Sequence, residues 1–172
     1  ERGRGGPYKD LYDFAERVDL KAIGKRAIEN LARAGAFDGL GAGRAAALAA
    51  ADILIRYSAQ AAEDRQSAQG GLFDLAAAPA LARPRLPAAD EWTPLDRLNE
   101  ERAALGFYFS GHPLDDYERE LKRLNAVTAA EARARAVDAR VTVQMAGVVR
   151  TVRMRRSKTG KPFAWIELSD AT

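Results

Sequence analysis

At 172 residues and 18.7 kDa the chain can form one ordinary domain or two small ones, and 36 of its residues are alanine, so helices are favoured over a core of large side chains. Cysteine is absent and His112 is the single histidine, which excludes disulfide scaffolds, thiolate nucleophiles and Cys-ligated metals and argues against a zinc site or a His-based triad. A net charge of +3 with pI ≈ 9.3 permits a nucleic-acid partner. The lack of a long apolar run or apolar leader predicts a soluble protein with no membrane partner, and the absence of cysteine fits a reducing, intracellular compartment. The first residue is not Met and Thr172 directly follows a strand-like run, so the chain is expected to be a piece of a longer polypeptide.

Leu11, Phe14 and Val18 share one helical face and predict a helix over 10–18. A second helix is expected over 21–34, with Ile23, Ala27, Ile28 and Leu31 inward and Gly35 ending it. The turn Ala36-Phe37-Asp38-Gly39-Leu40-Gly41-Ala42-Gly43-Arg44 then opens an alanine-rich helix expected to reach Glu63. From Asp64 to about Glu91 the composition shifts to Gln, Gly, Ala and Pro without periodicity, which reads as a linker. Thr93 and Pro94 start a helix carrying Leu95, Leu98 and Leu105; Ser110-Gly111-His112-Pro113 punctuates it. Leu114, Tyr117, Leu121 and Leu124 then share a face, and Thr128 with Glu131 is a capping-box pattern. The period changes at the end: Val141, Val143 and Met145 alternate with polar or small residues and predict a strand, paired with a second over Phe163–Leu168.

Three features bear on function. Gln69-Gly70-Gly71-Leu72-Phe73 places an apolar pair in a polar stretch, where it either folds back onto its own domain or enters a partner's pocket, with Gln69 at the rim. Gly39 and Gly41 allow a tight turn with exposed N–H groups, and Arg44 beside a helix start suits a DNA phosphate; alternatively the glycines only end one helix and begin the next, and Asp38 weighs against the anion. Between Arg140 and Ile166 stand seven bases and no acid, with Arg153, Arg155, Arg156, Lys158 and Lys161 read as a basic finger at the loop between the strands. Phe163 and Trp165 share one face of the second strand and serve either as core or as a stacking surface. His112 with Asp115 and Asp116 is read as a structural joint, because adjacent acids on a helix diverge by about 100°.

Five runs, taken in order, carry a resemblance: Pro7-Tyr8-Lys9-Asp10-Leu11 with Lys25-Arg26 and Ala34-Gly35-Ala36-Phe37-Asp38, then Gln69 to Phe73, then Ala104-Leu105-Gly106-Phe107-Tyr108-Phe109-Ser110-Gly111-His112-Pro113-Leu114, then Ala146-Gly147-Val148-Val149, and Lys158 to Phe163. Together the chain resembles the C-family replicative polymerases, the alpha subunits of bacterial DNA polymerase III. The resemblance implies a mostly α segment: the end of the fingers and a helix-hairpin-helix region (1–63), a linker with a sliding-clamp-binding motif (64–92), a helical connector (93–138) and the first β-strands of a truncated OB-fold (139–172). It further implies clamp contacts by Gln69, Leu72 and Phe73, and DNA contacts by Gly39, Gly41, Arg44, Arg153, Arg155, Arg156, Lys158 and Lys161. The implied partners are the clamp (the beta subunit), single-stranded template and replisome subunits such as tau and epsilon. No catalytic residue and no cofactor are expected within the segment, Mg2+ being implied for a polymerase site upstream. The alternatives are a structural spacer and an error-prone relative used in lesion bypass.

Overall fold

A computed structural model describes residues 2–70, 81–137 and 140–170, in two compact units that divide between Phe109 and Ser110. The first is helical. It contains α1 (Arg2–Gly5), α2 (Leu11–Arg17), α3 (Leu20–Ile23), α4 (Lys25–Arg33), α5 (Arg44–Ala49), α6 (Ala51–Gly70) and α7 (Pro94–Leu105). The second contains α8 (Glu118–Arg123), α9 (Ala129–Arg135) and the antiparallel pair β1 (Val148–Arg156) and β2 (Pro162–Ser169). Among the described residues no helix is long and apolar enough to cross a membrane.

Short caps define the first elements. Asp10 accepts from the Asp13 N–H and opens α2; Asp19 does the same for Ala22 and opens α3. The helix expected over 21–34 is two helices, because Gly24 adopts φ +85° between Ile23 and Lys25. That break also rotates the faces. Ile28 and Ala32 are buried, whereas Ile23, Ala27 and Leu31 are exposed rather than inward.

Leu11, Phe14, Leu20, Ile28, Phe37, Leu54 and Tyr57 form the core around α6. Phe14 meets Tyr8 edge-on and Phe37 at a tilt, both with centroids 5.2 Å apart. Ala47, Ala50 and Ala51 are buried at the junction of α5 and α6, so part of the alanine content is what lets these helices approach. Buried Ser58 donates to the Val18 carbonyl at 2.8 Å and accepts from the Leu20 N–H at 3.3 Å, satisfying backbone groups where α2 gives way to α3.

The long helix passes Glu63 and runs to Gly70. Residues 81–93 have no regular secondary structure, yet Leu81 and Leu86 rest against the helical core. Tyr12 donates its hydroxyl to the Pro84 carbonyl, and Tyr57 donates to Glu16 at 2.5 Å. Burial raises the hydroxyl pKa of both tyrosines above 10.0, with the Glu16 carboxylate adding to the effect at Tyr57. A raised folded-state value means stability that is complete below the unfolded value and lost as pH rises through the folded one. Melting temperature is therefore expected to fall above pH 10 more steeply in the native chain than in Tyr12→Phe with Tyr57→Phe, measured by circular dichroism.

In the second unit Thr128 and Glu131 close the expected capping box on α9. The joint is held by His112: its N–H donates to Asp115 at 2.7 Å and its Nδ1 accepts from the Leu114 N–H at 3.2 Å. Nε2 then carries the ring proton and lies 3.2 Å from the Ser169 hydroxyl. The strand expected at 141–146 does not form. Only Met145 makes an isolated bridge, to Val127, and the first strand starts at Val148.

Candidate nucleic-acid interface

The ladder fixes the chemistry of the hairpin. Arg153 pairs with Trp165, Arg155 with Phe163, Val152 with Ile166 and Met154 with Ala164. A register shift between Val149 and Thr151 leaves Arg150 as an inserted residue, so the alternation of β1 is set by Thr151 onward. One face then carries Thr151, Arg153, Arg155, Phe163, Trp165 and Glu167; the other carries Val149, Val152, Met154, Ala164, Ile166 and Leu168, with Arg156 and Pro162 at its turn end. Placing two arginines and a glutamate in a core would cost several kcal/mol per uncompensated charge, so the aliphatic face is the one suited to burial. Phe163 and Trp165 belong to the opposite, cationic face. Their rings lie 6.3 Å apart, edge to face, and Trp165 is 67% exposed.

This placement moves the basic finger. Arg153, Arg155 and Arg156 lie on β1 itself rather than in the connecting loop, while Lys158 sits in the turn and Lys161 just precedes β2. The turn is built by Gly160 at φ +80° and by the Ser157 hydroxyl, which accepts from the Lys161 N–H at 3.0 Å. Thr151, Arg153, Arg155, Trp165 and Glu167 line a shallow concavity of about 550 Å³. Glu167 lies 3.5 Å from Arg150, so the acid on this face has a cation of its own outside the Arg153 and Arg155 pair. The chain offers side by side what single-stranded nucleic acid requires: guanidinium groups for phosphates and aromatic faces for bases.

The glycine turn is different. Asp38–Leu40 is a turn of 3-10 helix, Gly41 follows at φ +74°, and Arg44 begins α5, which is only six residues long and has a weak dipole. Arg44 is engaged internally. Its Nε and Nη2 donate to Asp38 at 2.9 and 2.7 Å, and Nη1 donates to Glu101 at 2.7 Å. Asp38, first in line, and Glu101 both raise its pKa. The guanidinium covers Gly35, where a Cβ would meet it at 2.3–2.8 Å, so Gly35 supplies both the turn at φ +81° and the space. Gly41, Gly43, Arg44, Asp38, Glu91, Trp92 and Arg97 line a cleft of about 350 Å³ in which acids balance bases.

Glu101 escaped the sequence reading. It is completely buried, and its second carboxylate oxygen accepts from the Phe109 N–H at 3.2 Å. Glu101 lies three residues after half-buried Leu98, the one available signal, whereas Leu95 and Leu105 of the expected apolar stripe are exposed. Leu72 and Phe73, and the side chain of Gln69, lie outside the described residues. Among the described residues no group of three or more Asp, Glu or His side chains could hold a metal ion.

Comparisons with known proteins converge on one family. A helix-hairpin-helix motif matches residues 1–47, the stretch from α1 through the glycine turn to α5. DNA polymerase III subunit alpha of Caulobacter vibrioides is 47% identical over 171 residues, covering 99% of the chain. The chain belongs to the DNA polymerase III alpha-subunit family. The corresponding subunits of Vibrio cholerae and Halalkalibacterium halodurans are 38% and 33% identical, each over 98% of the chain. It spans 15% of the Caulobacter subunit and 14% of the other two.

Proposed function

We propose that the chain is the clamp-binding and DNA-handling segment of the catalytic alpha subunit of a bacterial replicative DNA polymerase. The observation that carries the DNA half is the segregation of the hairpin, with Arg153, Arg155, Phe163 and Trp165 on one face and aliphatic residues on the other. In this reading the aliphatic face is the inner side of an OB-fold, and the cationic face holds single-stranded template, with Arg156, Lys158 and Lys161 adding their charge at the turn end of the hairpin. Gly39 and Gly41 contribute backbone N–H groups to duplex phosphates, and Arg44 supports their loop from within. Nucleotidyl transfer belongs to other parts of the subunit, so this segment works without a cofactor of its own, in the cytoplasm.

The clamp half rests on the spacing Gln69-x-x-Leu72-Phe73. Two apolar side chains entering a cleft, with Gln69 orienting the peptide, give an affinity on the order of micromolar, which attachment to a ring around DNA converts into long residence. In calorimetry with the sliding clamp, Leu72→Ala with Phe73→Ala is expected to remove measurable binding; unchanged heats would refute the assignment. The DNA half is tested by titrating a fluorescent single-stranded oligonucleotide with the chain and its hairpin variants.

A further inference from the structure

Residues 81–87, Leu-Ala-Arg-Pro-Arg-Leu-Pro, cross the face of α2 and α6 as a strap. Leu81 and Leu86 meet the edge of the core. Between them Arg83 reaches Asp10 at 2.9 Å and Glu16 at 3.4 Å, and its guanidinium lies 5.5 Å from the centroid of the Tyr12 ring. The Pro84 carbonyl accepts the Tyr12 hydroxyl, and Tyr57, packed 4.9 Å from Tyr12, holds Glu16 through its own hydroxyl. The groove thus offers an extended Arg-Pro segment a pair of aromatic rings and two carboxylates, a combination that suits both the guanidinium and the proline ring. Pro84 and Pro87 fix part of the strap's backbone in advance, so it loses less entropy on docking than an ordinary loop.

The attachments are nonetheless of a kind that releases easily. Arg83 is half-exposed, which limits its ion pairs to a small net contribution, and both leucines are only partly buried. The helices beneath are closed by fully buried Leu11, Leu54 and Ile28. We propose that the strap is a detachable clip, which opens as a local unit while the helical unit stays folded. Docked, it leaves ten residues, 71–80, between α6 and Leu81, a contour of at most about 35 Å; released, the 20 residues 71–90, up to Glu91 and Trp92 at the glycine cleft, have a contour of at most about 70 Å. The clip therefore sets the length of chain available between α6 and the glycine cleft; the distance of Leu72 and Phe73 from the end of α6 is bounded by the two or three residues that join them to it.

Because the chain has no cysteine, Leu86→Cys introduces a single thiol where the strap meets the core. Labelling with a disulfide reagent is expected to be at least about tenfold slower than for a free thiol, and Arg83→Ala in the same chain to restore about fivefold or more of the rate. A separate core reporter, Ala47→Cys, is expected to keep its slow rate with or without Arg83→Ala. Amide hydrogen exchange within α6, unchanged by Arg83→Ala, repeats the control without a core substitution. The clip is overturned if Cys at 86 labels as fast as a free thiol, if Arg83→Ala leaves its rate unchanged, or if α6 exchange and the 86 rate rise together. No clamp is present in these measurements, so their failure leaves the Leu72 and Phe73 assignment standing, and loss of that assignment leaves the clip standing.

Discussion

Glu101→Ala is expected to destabilise the helical unit by about 3 kcal/mol, near the lower end of the range for breaking a buried ion pair. The carboxylate is completely buried and both of its oxygens are in use, one on Arg44 and one on the Phe109 N–H. Truncation leaves a guanidinium whose side chain is only 12% exposed facing a void, and a backbone donor without its acceptor. Asp38 still holds two nitrogens of Arg44, which keeps the loss below the largest values for buried pairs. Glu101→Gln retains an acceptor for Phe109 and is expected to cost roughly half as much. Against a typical total of about 5–15 kcal/mol, the alanine variant should show a plainly lower urea midpoint by far-UV circular dichroism. A loss below about 1 kcal/mol would mean that Asp38 alone suffices to hold Arg44 and the glycine turn.

The hairpin variants should separate charge from stacking. Arg153→Ala with Arg155→Ala removes two cations from one face and is expected to lower the slope of log affinity against log salt by about 1.4, at about 0.7 per phosphate for single strands. Trp165→Ala removes a stacking platform worth about 1–3 kcal/mol per base and is expected to lower affinity with little change in slope. Neither variant should unfold the hairpin, because the aliphatic face and the ladder are untouched.

Local signals carried much of the fold. Asp10, Thr93 with Pro94, Thr128 with Glu131 and the positive-φ Gly35 and Gly160 are short-range devices, and each appears where its residue types predict. What depends on tertiary partners was not legible. Gly24 turned one expected helix into two, and the rotation exposed Ile23, Ala27 and Leu31, a choice made by packing against α5, α6 and α7 rather than by periodicity. The alternation at 141–146 predicted the first strand, but the strand that forms is the next stretch, 148–156. Val148–Arg156 takes that place because it pairs along its length with Pro162–Ser169 across a five-residue turn. That register decides the candidate site, since it puts the arginines on a strand and the two aromatics beside them. Proline content suggested a free linker, yet Arg83 finds Asp10 and Glu16 at sequence separations beyond any local pattern. The ion pair of Arg44 with Glu101 is equally non-local, and it explains how the glycine turn is held.

The most direct test is the affinity of the chain for a single-stranded oligonucleotide, measured by fluorescence anisotropy at several salt concentrations beside the Arg153→Ala, Arg155→Ala double variant. The account predicts salt-sensitive binding for the native chain and a shallower, weaker salt dependence for the variant. Identical slopes and affinities for the two would contradict it, because the cationic, aromatic face of the hairpin would then have no part in holding DNA.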